Sequence, residues 1–149
     1  MILLIFIIKK GYYYIMSPKR KKFEYPTLDS IKFTNEIVNL MSTRKADRYK
    51  LLLDDRFIRH VIDEAKKAKG NVYDKAAILL RGLIVSHGFA SGNKRTAFLV
   101  TTYFITKNRG RVKLKNFDMV ERVLRNIRLY TIRDIANWLR KGEIDAKFQ

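Results

Sequence analysis

Two apolar segments on either side of a short polar loop constrain the fold of this chain most strongly. Ala76–Val85 is apolar except for Arg81 and Gly82, and Thr96–Ile105 holds seven apolar residues and three threonines. Neither segment offers a polar face, so each is predicted to be a central helix that its neighbours bury. Such a pair requires further amphipathic helices around it.

Covering helices are predicted on both sides of this pair. Apolar spacing after Pro26-Thr27 indicates one helix to about Met41. A second follows the potential N-cap Asp54-Asp55 and stops before Gly70-Asn71. The connection between them, residues 42–50, is charged and poor in apolar residues.

The C-terminal third of the chain predicts two more helices, over Phe117–Arg128 and Ile132–Arg140. Thr131 and Asp134 have capping-box spacing at the start of the latter. Arg111–Lys115 alternates briefly, like a short extended piece. With 149 residues and 47% hydrophobic content, the chain is most simply one domain with a real core. We therefore predict a mainly α, compact bundle of about six helices with a short extended segment.

The N-terminal residues differ in composition from the rest. The apolar run Ile2–Ile8 is far shorter than the ~20 residues needed to span a bilayer, and it lacks the flanks of a secretory signal. Met16 opens Met-Ser-Pro-Lys-Arg-Lys-Lys, so residues 1–15 are interpreted as an upstream extension from a misplaced start codon. A short hydrophobic strand or surface anchor is the alternative. We divide the chain into an extension, residues 1–22, and a domain, residues 23–149.

The chain is strongly basic, with 32 Lys and Arg against 14 Asp and Glu and a formal charge of +18. Removing residues 1–22, which hold six cations and no acid, still leaves about +12. Such a charge favours an anionic partner: nucleic acid, nucleotide, acidic protein or membrane. There is no cysteine, which excludes disulfides and thiolate metal sites and fits an intracellular, cytoplasmic protein.

The loop between the two apolar segments has the composition of an anion site. Gly92 lets the backbone approach a ligand closely, and Asn93 begins the second buried helix, whose free N–H groups and positive dipole end face the loop. Lys94 and Arg95 add positive charge. His87, just upstream, carries the side chain whose ordinary pKa suits proton removal near neutrality. A phosphate cradle beside a general base indicates transfer from a nucleotide to a hydroxyl group.

The same run resembles the Fic/Doc (Fido) motif, His-Pro-Phe-x-Asp/Glu-Gly-Asn-Gly/Lys-Arg. Six of its nine places are matched, by His87, Phe89, Gly92, Asn93, Lys94 and Arg95. The resemblance extends over about residues 25–140, through Tyr25-Pro-Thr-Leu28, Asn108-Arg-Gly110 and Ile135-Ala-Asn-Trp-Leu139. It implies a Fido-type helical bundle.

The resemblance also implies roles for individual residues. His87 would deprotonate a target hydroxyl, Phe89 would anchor the loop in the core, and Arg95 would contact phosphate. Gly92, Asn93 and Lys94 would form the anion-binding loop. Lys94, with Phe98 in place of a second arginine, makes the motif similar to the Doc-like subfamily, in which the γ-phosphate is transferred instead of AMP.

Three departures from the family pattern are visible. Ser91 occupies the acidic position that would hold Mg²⁺ through the nucleotide, and a neutral hydroxyl is a poor anchor for a hard cation. Gly88 replaces proline, which lowers loop rigidity. The segment Tyr49–Asp55 is short and lacks glycine, whereas Doc-like chains carry a glycine-rich substrate-docking flap there.

Two functions follow as hypotheses. The first is a Doc-like transferase that moves a phosphoryl group, or AMP, from ATP or another nucleotide to a hydroxyl of a target protein, with Mg²⁺ as a possible cofactor. It would be the toxin of a toxin–antitoxin pair, restrained by a small antitoxin protein. The alternative is a weak or inactive Fido domain that binds nucleotide or nucleic acid.

Other polar residues have ordinary interpretations. His60 lies in an amphipathic helix and is interpreted as structural or exposed. Five C-terminal arginines could form a nucleic-acid stripe, but more often such residues are a solvated face or a docking surface for an acidic partner. These are Arg122, Arg125, Arg128, Arg133 and Arg140.

Overall fold

The computed structural model describes residues 22–43 and 55–145, and every regular element in those ranges is a helix. The elements are α1 (Leu28–Leu40), α2 (Arg56–Lys67), α3 (Val72–Val85), α4 (Asn93–Lys107), α5 (Phe117–Arg125), a short 3₁₀ helix (Ile127–Leu129) and α6 (Ile132–Lys141). The prediction of a mainly α bundle of about six helices is confirmed. Residues 1–21, and the predicted flap segment before Asp55, lie outside the described residues. Within them, no helix is both long and apolar enough to cross a bilayer.

Helix α3 occupies the centre of the fold. It packs against α2, α4 and α6, and α1 covers α4. Its side chains Leu79 and Leu80 are fully buried, and they share one hydrophobic core with Phe104 of α4 and Trp138 of α6. The prediction that the first apolar segment forms a buried central helix is therefore confirmed.

Helix α4 is buried on fewer sides than its sequence predicts. Leu99 is 48% exposed and Tyr103 is 65% exposed, although both stand in the apolar segment. The principal neighbours of α4 are α3 and α1, and the helix turns one apolar edge to solvent. On the same helix the Thr102 hydroxyl donates to the Leu99 carbonyl oxygen over 3.1 Å, which satisfies this polar side chain locally.

Side-chain caps determine where most helices begin. The predicted capping box of α6 is present: the Asp134 N–H donates to the Thr131 hydroxyl over 3.1 Å, and the Thr131 N–H donates to the Asp134 carboxylate over 2.9 Å. Asn71 caps α3 in the same way, so this helix starts four residues before its apolar pattern. Thr27 and Ser30 form the corresponding pair for α1.

Asp55 stands at the predicted N-cap position of α2 but does not cap it. Its backbone is already helical and its side chain makes no capping hydrogen bond. The carboxylate pairs instead with Lys32 of α1 at 3.2 Å and with Arg59 at 3.6 Å. The prediction that Asp55 caps α2 was wrong because its carboxylate forms ion pairs in the folded structure.

Two boundaries near the C-terminus also differ from the predictions. Helix α5 ends at Arg125, and the chain tightens into the 3₁₀ helix because Ile127 turns into the core, where it is 2% exposed. The expected extended piece at Arg111–Lys115 forms no strand. Its backbone is held by hydrogen bonds of Arg111 with the Tyr73 hydroxyl and by one from the Lys113 N–H to the Leu139 carbonyl oxygen, at 3.3 Å.

A buried lysine joins three parts of the fold. Lys75 of α3 is 6% exposed, and its ammonium donates to the carbonyl oxygens of Ala65 and Ala68 at the end of α2. It also lies over the rings of Phe23 and Tyr25, 5.6 and 5.8 Å from their centroids. A cation at the carbonyl end of a helix, packed on aromatic faces, is a stabilising arrangement. Lys75 therefore holds the segment before α1 against α2 and α3.

Candidate functional site

The loop between α3 and α4 places a buried anchor among exposed polar residues. Phe89 is 3% exposed and packs into the core, which confirms its predicted role as the anchor of the loop. His87 before it, and Lys94 and Arg95 after it, are exposed. Gly88 is buried against Ile58 of α2, where a Cβ would lie 3.0 Å from two side-chain carbons. This close contact leaves little room for the proline of the family motif.

Asn93 closes the loop with its side chain. The Oδ1 atom accepts from the Phe89 N–H at 3.0 Å, and the Nδ2 amide donates to the Phe89 carbonyl oxygen at 2.7 Å. Both polar ends of the side chain are used inside the protein. A ligand at this loop would therefore meet the backbone N–H of Asn93, and the side chain would act on the ligand only by shaping the loop.

A buried amide of α1 supports the loop from below. Asn35 is fully buried, and its Nδ2 donates to the Ser91 carbonyl oxygen at 2.9 Å and to the Thr96 hydroxyl at 3.1 Å. Its Oδ1 accepts from Nδ2 of Asn39, also buried, at 3.1 Å. Asn35 thus holds residues on both sides of Gly92. The sequence analysis missed this pair, although two amides four residues apart on the apolar face of α1 are a readable signal.

Gly92 is the N-cap of α4 and adopts a left-handed conformation, with φ 76°. A Cβ at this position would lie 2.7 Å from Oδ1 of Asn39 and 3.1 Å from Cγ1 of Val38. Both the backbone angle and the packing therefore require glycine.

The N-terminus of α4 lacks a side-chain cap, whereas α1, α3, α5 and α6 each have one. No acidic residue stands in its first turn, where Lys94 and Arg95 are exposed. Among the described residues no side chain caps the first N–H groups of this helix, and the dipole of the helix favours negative charge there. The arrangement suits a phosphate group.

His87 combines an exposed side chain with a strained backbone. Its φ of 47° lies in the left-handed region, which residues other than glycine seldom adopt. Such strain persists where the surrounding structure imposes it, and it clusters at functional sites. No described residue forms a hydrogen bond or ion pair with its imidazole. The ring is therefore exposed and has no described partner.

The loop does not provide a carboxylate for a metal ion. Ser91 is half-buried and offers a hydroxyl at the position where the family motif has an acid. The described residues also include no cluster of three His, Asp or Glu side chains that could hold a metal. The residues present fit a phosphate group, but they do not by themselves fit Mg²⁺, which prefers carboxylate ligands and water.

The site lies at the described surface through its exposed residues His87, Lys94 and Arg95. Two depressions on the described surface, of about 470 and 400 Å³, lie elsewhere and include none of its residues.

His60, the other histidine, is exposed on α2 with Nε2 3.3 Å from a Glu64 carboxylate oxygen. It lies outside the loop, in agreement with its interpretation as a structural or exposed residue.

We expect the loop to depend on Asn35. Replacing Asn35 with alanine leaves the Ser91 carbonyl, the Thr96 hydroxyl and the Asn39 amide without this partner. The free energy of unfolding should fall by about 1–3 kcal/mol, measured by urea denaturation. Asn137→Ala, at an exposed position of α6, is the matched control and should change it by less than about 0.5 kcal/mol. Equal values for the two variants would contradict a supporting role.

Comparison with known proteins identifies a family match over the part of the chain that contains this loop. A model of the Fic/DOC family matches residues 19–105, which is more than half of the sequence. The match includes α1 to the greater part of α4, and with them the whole loop. No curated protein and no solved structure gives a significant match.

Proposed function

The chain belongs to the Fic/DOC family, and on this premise we propose that it is a Doc-like transferase, which moves the γ-phosphoryl group of ATP or a related nucleotide to a hydroxyl of a target protein. The family as a whole points to nucleotide-dependent transfer to proteins. The choice of the phosphoryl group, the Doc-like subfamily and the role as a toxin are the finer parts of the proposal.

The uncapped N-terminus of α4 is the observation that carries the proposal. Gly92 starts the helix in a left-handed turn, and no side chain in the described part of the chain caps the N–H groups that follow. Exposed Lys94 and Arg95 add two positive charges. In phosphoryl transfer the protein contributes mainly position and charge stabilisation around the transferred group. These are the features that this helix start offers.

His87 supplies the base in this mechanism. Its imidazole removes the proton from the target hydroxyl while the hydroxyl oxygen attacks the γ-phosphorus. A new oxygen–phosphorus bond forms, and the bond from that phosphorus to the β-γ bridging oxygen breaks. The products are a phosphorylated protein, a nucleoside diphosphate and a proton held by His87. Arg95 and the backbone of residues 92–94 hold the phosphates during the transfer.

The preference for the γ-phosphoryl group rests on two residues of the motif. Lys94 and Phe98 stand where the resemblance distinguishes Doc-like chains from those that transfer AMP. Lys94 is exposed in the first turn of α4, whereas Phe98 is half-buried against the core. A lysine side chain in the anion loop occupies space that a glycine would leave to the nucleotide, and it adds a positive charge. It therefore changes which phosphate is presented to His87.

The proposal includes a protein partner. In a toxin–antitoxin pair a small cytoplasmic antitoxin would restrain the transferase, and the charge of +18 suits an acidic segment on that partner. A small antitoxin-like reading frame beside this gene, whose product binds the chain and suppresses labelling, is the corresponding observation to look for.

One observation favours a second function, that of a nucleotide-binding domain without transferase activity. Ser91 replaces the acid of the motif, and the described residues show no metal-ligand cluster. Without a divalent cation the negative charge that develops during transfer would be balanced only by the cations and N–H groups of the loop. In that case the nucleotide would bind and no group would be transferred.

Parallel incubations with α- and γ-labelled ATP test the proposal. We expect label on protein from γ-labelled ATP alone, in the presence of Mg²⁺ or Mn²⁺, because the terminal phosphoryl group is the one transferred. Label from α-labelled ATP would instead mean AMP transfer and would overturn the Doc-like assignment. Nucleotide binding without label from either source, with any divalent metal, would support the second function.

A further inference from the structure

A second concentration of positive charge lies at the opposite end of the α3–α4 pair. A depression of about 400 Å³ is lined by Tyr73, Gly110 and five cations. These cations are Arg109, Arg111, Lys113, Arg140 and Lys141. We call this feature the basic depression. Since α4 has 15 residues, its end near Arg109 lies about 20 Å from its start near Gly92.

The five cations come from two separate segments of the chain, the connection between α4 and α5 and the end of α6. Arg109 follows α4, Arg111 and Lys113 lie in the connection to α5, and the remaining two end α6. Cations near the carbonyl ends of helices stabilise the helix dipole, which accounts for those of α6. Arg111 and Lys113 lie in no helix, so their presence in the depression needs another reason.

Hydrogen bonds fix the frame that carries these cations. The Tyr73 hydroxyl donates to the Arg111 carbonyl oxygen at 2.8 Å and accepts from the Arg111 N–H at 3.1 Å. The Lys113 N–H donates to the carbonyl oxygen of Leu139, next to Arg140. Arg109 adopts a left-handed φ of 64°, and the Gly110 N–H donates to the Ile105 carbonyl oxygen at 2.8 Å. The cations therefore project from an ordered backbone.

The basic depression contains no acidic side chain to neutralise it. None of its five cations forms an ion pair with a described residue. Glu143 is an acid close by, but it pairs with Lys115. That hydrogen bond and the charge of Lys115, with a smaller effect of Lys141, lower the pKa of the Glu143 carboxyl. Five like charges gathered without a counter-ion repel one another, and an anionic ligand relieves the repulsion.

We propose that the basic depression binds the phosphodiester backbone of single-stranded nucleic acid. Three of its cations are arginines, whose planar guanidinium groups match phosphate oxygens. The depression is open rather than enclosed, so a phosphate that belongs to a longer chain can reach its cations. Tyr73 places an aromatic side chain in its wall, and bases stack on such rings in single-strand binding proteins. Because the aromatic ring of Tyr73 lies beside the cations, the depression favours single-stranded nucleic acid over an acidic peptide.

Fluorescence anisotropy of the full chain with labelled single-stranded RNA, and with DNA of the same sequence, tests the proposal. Arg109→Gln/Arg111→Gln/Arg140→Gln removes three charges from the basic depression. We expect affinity to fall by about tenfold or more, and the slope of log affinity against log salt to become shallower by about 2. The control Lys67→Gln/Arg122→Gln/Arg128→Gln removes three charges at exposed positions elsewhere, and its affinity should stay within about twofold of wild type. Comparison of RNA and DNA identifies the preferred strand.

The outcomes separate this site from the loop at His87. RNA binding that survives His87→Ala, together with protein labelling that survives the triple glutamine variant, supports two independent sites. Equal losses in the two triple variants would mean diffuse attraction by net charge and would overturn the proposal. The proposal is also overturned by unchanged binding of the depression variant, or by tighter binding of poly-glutamate than of RNA. Circular dichroism checks that both triple variants remain folded.

Discussion

Replacing His87 with alanine is expected to lower nucleotide-dependent labelling of the target protein by about 10²- to 10⁴-fold, the contribution of a general base. The imidazole is exposed and pairs with no described residue, so its loss removes the proton acceptor without opening a cavity. Nucleotide affinity should change little, because the proposed mechanism assigns the phosphates to the backbone of residues 92–94 and to Arg95. Labelling rates and nucleotide titrations of the same preparations provide the measurement.

His60→Ala is the matched control, since the chain has two histidines and this one is exposed on α2. Its labelling rate should equal that of wild type. If His87→Ala labels as fast as His60→Ala, His87 is not the base. If His87→Ala loses nucleotide binding along with labelling, its role is in shaping the loop. That reading has a physical basis, because the left-handed backbone at His87 belongs to the turn that follows α3.

Trp138→Ala should lower the free energy of unfolding by about 3–5 kcal/mol. Trp138 is the largest of the fully buried side chains, 1% exposed on α6 where this helix packs against α3. Since the stability of a domain is about 5–15 kcal/mol, the variant would retain only part of it. Urea denaturation followed by circular dichroism gives the value.

Phe117→Ala is the control for this second prediction. Phe117 begins α5 and is 91% exposed, so loss of its ring removes almost no buried surface. Its effect should stay within about 0.5 kcal/mol. A small effect of Trp138→Ala, comparable to that of Phe117→Ala, would contradict the placement of α6 against the central helix.

The parts of the fold that depend on local chemistry could be predicted from the sequence. Thr131 and Asp134 satisfy N–H groups within one turn, so their spacing is sufficient to place the start of α6. The burial of α3 follows from an apolar segment that has no polar face. The loop of the candidate site could be located because glycine, asparagine and two cations follow one another at the start of a buried helix.

Features that depend on distant partners could not be predicted in the same way. Asp55 was expected to cap α2, but its carboxylate accepts a hydrogen bond from the ammonium of Lys32, 23 residues earlier. Leu99 and Tyr103 resemble core residues in sequence, and only the packing of α4 reveals their exposure. The sequence analysis did not single out Lys75, and only the fold reveals the carbonyl oxygens and rings that surround it.

The candidate site contains features that the sequence predicts and features that depend on distant partners. Gly92 was expected to let the backbone approach an anion, which stays a prediction; the structure shows that its backbone is left-handed, a conformation that favours glycine. Asn93 was expected in the anion-binding loop, but its side chain is used to close the loop on Phe89. The role of Asn35 was missed because its partners Ser91 and Thr96 lie 56 and 61 residues away along the chain, and Asn39 was missed with it because it bonds to Asn35.

The buried amide of Asn35 makes α1 and the loop one thermodynamic unit. Because it holds Ser91 and Thr96 together, α1 cannot separate from α4 without releasing both sides of Gly92. Linkage requires that the effect be reciprocal: whatever free energy an anion contributes by ordering the loop also protects α1 against local opening. Hydrogen exchange at the amides of α1 would thus slow when nucleotide binds, although the helix itself touches no ligand.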